Sequence, residues 1–408
     1  MNKVREGYKM TELGEIPNEW NIMKLSEVAE IVMGQSPDSS SYNDIGDGVA
    51  FFQGKTEFGR INPVVKKWCN NPTKISKPLD ILISVRAPVG DVNINNIEAC
   101  IGRGLGAIRQ TGKSNYKYLY YAIQKYNNQL QKASQGSTFE AINSNDLKGL
   151  KLPMPLINEQ EKIASILSTV DEQIDNVDAL IEKNKELKKG LMQTLLTKGI
   201  GHTKFKKTEI GEIPEEWEVN NLGNIVEVIS GATPKTNINE YWDNGDIYWA
   251  TPSDITSNGK YISVTEKKIT ENGLRNCSAK LLPIGSILMS SRATIGERCI
   301  NTVPMTTNQG FKSLVCKDGI NNEFIYYYVD ILKEKLMGLA SGSTFLEVSK
   351  KVVEDIKVVI PSLEEQEKIA SILSEVDKKI DDYENKKQKL EELKKGLMQQ
   401  LLTGNIRV

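Results

Sequence analysis

Histidine is nearly missing from this chain of 408 residues, with His202 standing alone. One imidazole cannot build the multi-histidine sites of catalytic zinc, and it removes most Ser-His and Cys-His nucleophile pairs. Cysteine is sparse as well. Cys69, Cys100, Cys277, Cys299 and Cys316 form no Cys-x-x-Cys spacing, so the usual zinc sites are excluded and buried reduced thiols are expected. No stretch approaches the ~20 apolar residues of a membrane span. The opening Met-Asn-Lys-Val-Arg-Glu begins no apolar signal core, and the expected location is the cytoplasm, away from membranes. Catalytic strings are missing too: there is no Asn-Pro-Pro-(Phe/Tyr) of adenine methyltransferases, no Walker loop and no helicase box, and Gly102-x-Gly104-x-Gly106 lacks the dinucleotide spacing. The chain is therefore expected to be non-catalytic and to bind no metal or cofactor itself.

An excess of positive charge is also lacking. The net charge is -1; residues 1–150 carry 18 basic and 15 acidic side chains, and residues 201–356 carry 17 and 20. Nucleic-acid binders usually show a basic balance, so any DNA footprint must be local, or shared with a partner that supplies the positive field. What remains is an ordinary globular composition, 39% hydrophobic and 26% charged, long enough for two or three separately cored domains.

The dominant positive feature is a duplication. Thr11-Glu-Leu-Gly-Glu-Ile-Pro-Asn-Glu-Trp20 returns as Thr208-Glu-Ile-Gly-Glu-Ile-Pro-Glu-Glu-Trp217, at an offset of 197. Glu159-Gln-Glu-Lys-Ile-Ala-Ser-Ile-Leu-Ser168 recurs as residues 365–374, and Glu186-Leu-Lys-Lys-Gly-Leu-Met-Gln193 as residues 392–399, both at an offset of 206. The second copy has thus gained nine residues, and the copies differ most in their middles, residues 38–80 and 235–286. Ends that stayed alike do one job twice, whereas divergent middles suit two different jobs, such as reading two different half-targets.

Long amphipathic segments follow each middle. Ile163, Ile166, Val170, Val177, Leu180, Leu187 and Leu191, broadened by Leu167, Ile174, Ile181 and Leu195, form a heptad-like stripe. The second copy repeats it with Ile369, Ile372, Val376, Tyr383, Leu390, Leu393 and Leu397. Pro155 and Pro361 stand just upstream, where a helix can begin. Each helix of ~40 residues would measure ~60 Å. Such faces need partners, and the simplest arrangement packs the two helices against each other, antiparallel about a pseudo-two-fold axis. The lysines Lys183, Lys185, Lys188 and Lys189 are expected to be a solvated face. An ordinary helical hairpin without functional meaning is the bland alternative.

The middles, residues 20–150 and 217–356, read as mixed α/β modules. Val49–Gln53, Asp80–Arg86 and Ser286–Arg292 look like buried strands, and Tyr116–Gln131 and Glu323–Met337 like helices. Ser84-Val-Arg86 matches Ser290-Ser291-Arg292, placing an arginine where an apolar strand ends. Such an arginine could fork onto a phosphate or a guanine edge, or pair with an acidic neighbour inside the fold. Ser137 and Thr138 match Ser343 and Thr344; with Glu140 and Glu347 they have the spacing of helix caps, and a helix N-terminus is also a phosphate site. Gln53 and Lys55 lie where the second copy has Thr251, Ser253 and Asp254, groups that suit base edges and turns alike.

In their order, taken twice, these strings resemble the specificity subunits of type I restriction-modification systems. The likeness rests on Gly14-Glu-Ile-Pro-Asn-Glu-Trp20 and its copy, on Gly231-Ala-Thr-Pro234 and Gly34-Gln-Ser-Pro37, and on Pro-x-x-x-Glu-Gln-x-x-Ile-Ala before each helix. Asn308-Gln309-Gly310 belongs to it as well, although the first copy has Gly102-Arg103-Gly104 there. The resemblance implies a duplicated α/β (α+β) fold: target-recognition domain 1 over residues 1–155, a central long helix over 156–200, target-recognition domain 2 over 201–361 and a C-terminal long helix over 362–408. The helices would form an antiparallel coiled coil seamed by Ile163, Val170, Val177, Leu187, Leu191, Ile369, Val376, Tyr383, Leu390 and Leu397. Each domain would read one half of a bipartite target in double-stranded DNA. Two modification subunits carrying S-adenosylmethionine would dock on the helices, and motor-nuclease restriction subunits would join them. The rival reading is a coiled-coil adaptor that joins proteins without touching DNA.

Overall fold

The computed structural model describes residues 4–135, 140–341 and 346–408. The chain divides into two compact units, Met1–Ala179 with Glu384–Val408, and Leu180–Tyr383. The division falls inside both long helices, Ile157–Lys198 and Leu363–Leu401. Each unit therefore holds one divergent domain, part of one long helix and part of the other.

In the first unit an antiparallel sheet runs in the order Val92–Ile94, Ile81–Ser84, Leu105–Gln110, Ala29–Met33. A second sheet carries the parallel pair Val49–Phe52 and Ala99–Ile101 at its centre. Strand Ile81–Ser84 is buried at every position, as its unbroken apolar run requires of a strand covered on both faces. Helix Tyr116–Tyr126 packs its Tyr118, Leu119 and Ala122 into the same core. The second unit repeats the plan. Val226–Ser230, Lys312–Cys316, Ile287–Met289, Arg298–Asn301 and Tyr261–Ile262 form one sheet, and Ile247–Ala250 pairs in parallel with Met305–Thr307 in the other.

The repeated sequence strings turn out to be fasteners between domain and helix. The hairpin Tyr8–Thr11/Gly14–Pro17 leads to Trp20, which is fully buried and donates from Nε1 to Glu159 Oε2 at 3.0 Å. Arg407 Nε donates to the other oxygen of Glu159 at 2.6 Å. In the second unit Trp217 Nε1 donates to Glu365 Oε2 at 3.0 Å, and His202 Nε2 lies 2.9 Å from Glu365 Oε1. The adjoining Gln160 and Gln366 accept the amides of Asn115 and Asn321 just before helices Tyr116–Tyr126 and Asn322–Leu339. A Glu-Gln dipeptide thus explains why this string recurs unchanged: its carboxylate holds an indole, and its amide satisfies a helix-entry group that burial would otherwise leave unpaired.

The helices run antiparallel within each unit. In the first, Glu159, Asp171 and Asp178 face Arg407, Lys394 and Lys387 in reverse order. In the second, Lys188 faces Asp377 and the amide of Ile200 reaches Glu365. The buried seam is Ile163, Leu167, Val170, Ile174, Val177, Ile181 and, further on, Leu195, with Leu191 partly buried. On the second helix it is Ile369, Leu373, Val376, Ile380 and Leu401, with Tyr383, Leu390 and Leu397 half-buried.

This corrects the stripe read from sequence at Leu187, which is 50% exposed, and at Leu180, Ile372 and Leu393, which are also exposed. Alternate steps of three and four from Ile181 arrive at Lys188, not Leu187, and the equivalent steps on the other helix arrive at Lys387 and Lys394. A lysine can occupy a seam when its stem packs and its ammonium reaches a carboxylate. Lys188 does so at 2.6 Å from Asp377, Lys387 at 2.7 Å from Asp178 and Lys394 at 2.8 Å from Asp171. Lys188 is therefore part of the seam rather than of a solvated face. Leu167→Ala is expected to cost about 3 kcal/mol in urea unfolding, whereas Leu187→Ala should stay within about 0.5 kcal/mol of the parent; equal losses would contradict this register.

Candidate nucleic-acid interface

Three strands of the first unit end at one edge, and the loop after a fourth strand closes it. Val49–Phe52 leads into Gln53-Gly54-Lys55, Ile81–Ser84 into Val85-Arg86, and Ala99–Ile101 into Gly102-Arg103-Gly104. Close backbone contacts knit these loops together. The amide of Gly102 donates to Phe52 O at 2.8 Å, that of Gly104 to Gln53 O at 3.2 Å, and that of Val85 to Gly104 O at 2.9 Å. Behind them runs Gly34-Gln-Ser36-Pro. A Cβ on Gly34 would sit 2.2 Å from Gly102 O, which explains the glycine, and Ser36 Oγ accepts the Arg103 amide at 3.2 Å. Glu57 Oε2 holds the amides of Gln53 and Gly54 at 3.1 and 3.0 Å.

The result is a concavity of about 240 Å³ lined by Ser36, Gln53, Lys55, Ser84, Arg86 and Arg103, so five residues singled out from sequence meet at one place. Arg86 and Arg103 are exposed, and among the described residues neither guanidinium has a hydrogen bond or ion pair. Lys55 is ion-paired with Asp91 at the surface. Two free forks within one polar hollow can each take a phosphate or the O6/N7 edge of a guanine. Ser84 is a wall residue instead of a reader: it is buried, its Oγ donating to Pro88 O and accepting the Asp91 amide.

The second unit builds the same edge with other side chains. Ile247–Ala250 leads into Thr251-Pro-Ser253, Met305–Thr307 into Asn308-Gln309-Gly310, and Arg292 follows strand Ile287–Met289. A Cβ on Gly231 would sit 2.0 Å from Asn308 O, and Thr233 Oγ1 donates to Gln309. Thr251 Oγ1 and Ser253 Oγ lie 2.8 Å apart at the start of helix Pro252–Ser257. Asn308 Oδ1 is occupied by the Gly310 amide, leaving its Nδ2 as a donor. Two expectations are corrected. Asp254 is 5% exposed and spends its oxygens on the Thr251 amide and hydroxyl and the Glu266 amide, as loop scaffolding. Ser291 is fully buried, donating to Gly310 O.

Arg292 differs from its counterpart Arg86. Its Nη2 lies 2.7 Å from Glu347 Oε2, and Lys312 Nζ lies 3.1 Å from Glu347 Oε1. Burial pulls the Glu347 carboxyl up, but hydrogen bonds from Arg292 and Lys312 outweigh it and hold the group below the usual glutamate value. Ser137, Thr138, Ser343 and Thr344 lie outside the described residues. The capping role read for Glu347 is overturned, since Glu347 forms an extended bridge with Ser341 and Arg292, and the next helix, Lys350–Asp355, is capped by Ser349. The helix Ser144–Gly149 of the first unit is capped by Asn143. Sequence reasoning missed Ser36, Glu57, Thr233 and Lys312, and read Glu347 only as a cap partner. Only Ser36 and Thr233 left a signal, two residues beyond the repeated glycines.

Among the described residues no group of three His, Cys, Asp or Glu side chains is placed to hold a metal ion, and no helix is long and apolar enough to cross a membrane. The family description "Type I restriction modification DNA specificity domain" matches residues 17–188 and again residues 214–394. A Methanocaldococcus jannaschii protein provisionally named type I restriction enzyme MjaX specificity subunit is 30% identical, over 99% of this chain and 97% of its own. The MjaIX specificity subunit of the same organism is 44% identical over 197 residues, 47% of this chain and 44% of that one. In fold the chain is similar to the crystal structure of a type I restriction-modification S subunit from M. genitalium, with a TM-score of 0.58, 19% identity, and coverage of 98% of this chain and 97% of that one. Two matched domains, each backed by a long helix, place this chain in the type I restriction-modification DNA specificity family, as a specificity subunit.

Proposed function

We propose that each unit reads one half of an interrupted target in double-stranded DNA and that the long helices set the spacer between the halves. The observation that carries this reading is the convergence of Gln53, Arg86 and Arg103 on one hollow, with neither guanidinium paired among the described residues. Arginine forks carried at the end of a rigid sheet need break no internal ion pair before taking a ligand. The same edge in the second unit presents Thr251, Ser253, Asn308 and Gln309, a neutral donor and acceptor set. Different chemistry on one scaffold is what two different half-targets demand.

The chain acts without a reaction of its own in this reading. Modification subunits dock on the long helices and bring S-adenosylmethionine, and motor-nuclease subunits join for cleavage; those partners contribute the phosphate contacts that a net charge of -1 does not supply.

Mapping methylated adenines across the genome with and without the gene tests the proposal. One interrupted motif should vanish on deletion, and exchanging residues 20–150 for another reader should change one half of it alone. A motif that survives the deletion, or changes in both halves on the exchange, would remove the reading in favour of an adaptor.

A further inference from the structure

We infer that Glu347 is a resident anion occupying the arginine of the second unit, which duplex DNA must displace before Arg292 can engage it. The inference rests on the DNA-reading role proposed above and divides the two units by mechanism: an open arginine site in the first, a gated one in the second.

The two edges match in the backbone pairing that holds the arginine strand. Ile142 N donates to Val85 O at 3.0 Å, and Val348 N donates to Ser291 O at 3.0 Å. Arg86 forms an antiparallel bridge with Ala141, and Arg292 one with Glu347. Where the first unit has Ala141 and Gly106, the second has Glu347 and Lys312. Those substitutions install a carboxylate against the arginine and a cation, Lys312, 7% exposed in its side chain, behind the carboxylate. Both oxygens of Glu347 are engaged, one by each cation, in the bidentate manner a phosphate would be. Its ionised state at neutral pH follows from the lowered carboxyl value. Arg292 is 42% exposed in its side chain and can turn outward to a ligand, whereas Lys312 cannot follow it.

The test uses the full chain and a fluorescein-labelled 30-base-pair duplex of random sequence, titrated at several KCl concentrations. Glu347→Ala should bind about five- to tenfold more tightly at low salt, and the slope of log affinity against log salt should steepen by about 1–2. Ala141→Glu should do the reverse in the first unit. Glu347→Gln, which keeps the shape and loses the charge, carries the test if the alanine variant unfolds earlier in a melt. Unchanged or weaker binding by both Glu347 variants, while Arg86→Ala with Arg103→Ala still weakens binding, overturns the gate and leaves the DNA-reading role standing. If the arginine variants and wild type bind alike, the DNA-reading role itself fails.

Discussion

Replacing Asp171 with alanine is expected to lower the stability of the chain by about 3 kcal/mol. The carboxylate is 1% exposed and accepts from three directions: Arg60 Nη1 at 2.6 Å, Lys394 Nζ at 2.8 Å and Tyr121 Oη at 2.6 Å. Arg60 and Tyr121 belong to the domain, Asp171 to one long helix and Lys394 to the other. One buried anion therefore ties three elements of the first unit. Its loss leaves the Tyr121 phenol and the Lys394 ammonium without their acceptor, while Arg60 keeps Asp175 and the Asp171 carbonyl; groups so stranded cost more unpaired than the pair gains when made. Asp171→Asn, which keeps one acceptor, should cost less, about 2 kcal/mol. Urea unfolding followed by circular dichroism measures both; a loss below about 0.5 kcal/mol for the alanine variant would show that the cluster is decorative.

The same cluster sets an acid limit. Burial pulls the Asp171 carboxyl up, but hydrogen bonds from Lys394, Tyr121 and Arg60 outweigh it and place the group below the ordinary aspartate value. A depressed folded value means that the contribution is complete above the unfolded value near pH 4 and fades as pH falls toward the folded one. The stability gap between wild type and Asp171→Asn should therefore be constant near neutrality and shrink below about pH 4.

On the DNA side, Arg86→Ala combined with Arg103→Ala should weaken binding to the cognate duplex by about a hundredfold, taking about 1–2 kcal/mol for each fork. Both side chains are exposed and unpaired among the described residues, so the melting temperature should stay put. Arg292→Ala should cost less, because that arginine already gives part of its interaction to Glu347. Fluorescence anisotropy on duplexes altered in one half-site would separate the two units: the double variant should lose discrimination in one half only. Equal losses from all three arginines would mean that they serve as generic phosphate contacts.

The fastener residues show how legible the molecule was. Tyr121 and Tyr327, Asp171 and Asp377, and Lys188 and Lys394 all repeat at an offset of 206, so their pairing was written in the duplication. It went unread because the lysines looked like ordinary solvated charges. Periodicity sees apolar side chains, and at three seam positions the helices substitute a lysine stem for an apolar residue. The strand-end arginines were found because strand and loop signals are local. Whether each arginine was free or paired depended on a residue 55 positions away in sequence, Ala141 for Arg86 and Glu347 for Arg292, beyond any spacing rule.

Residue order alone determined the duplication, the two long helices and the strand ends at which polar groups emerge, because each follows from composition, period or local backbone chemistry. Tertiary structure decided which of those groups face a hollow and which are mortar. Ser84, Ser291 and Asp254 carry the same donors and acceptors as their neighbours, yet close packing of three loops spends them on backbone partners. It also decided that Arg86 meets an alanine and Arg292 a glutamate across an otherwise equivalent bridge, a contrast that long-range pairing alone creates.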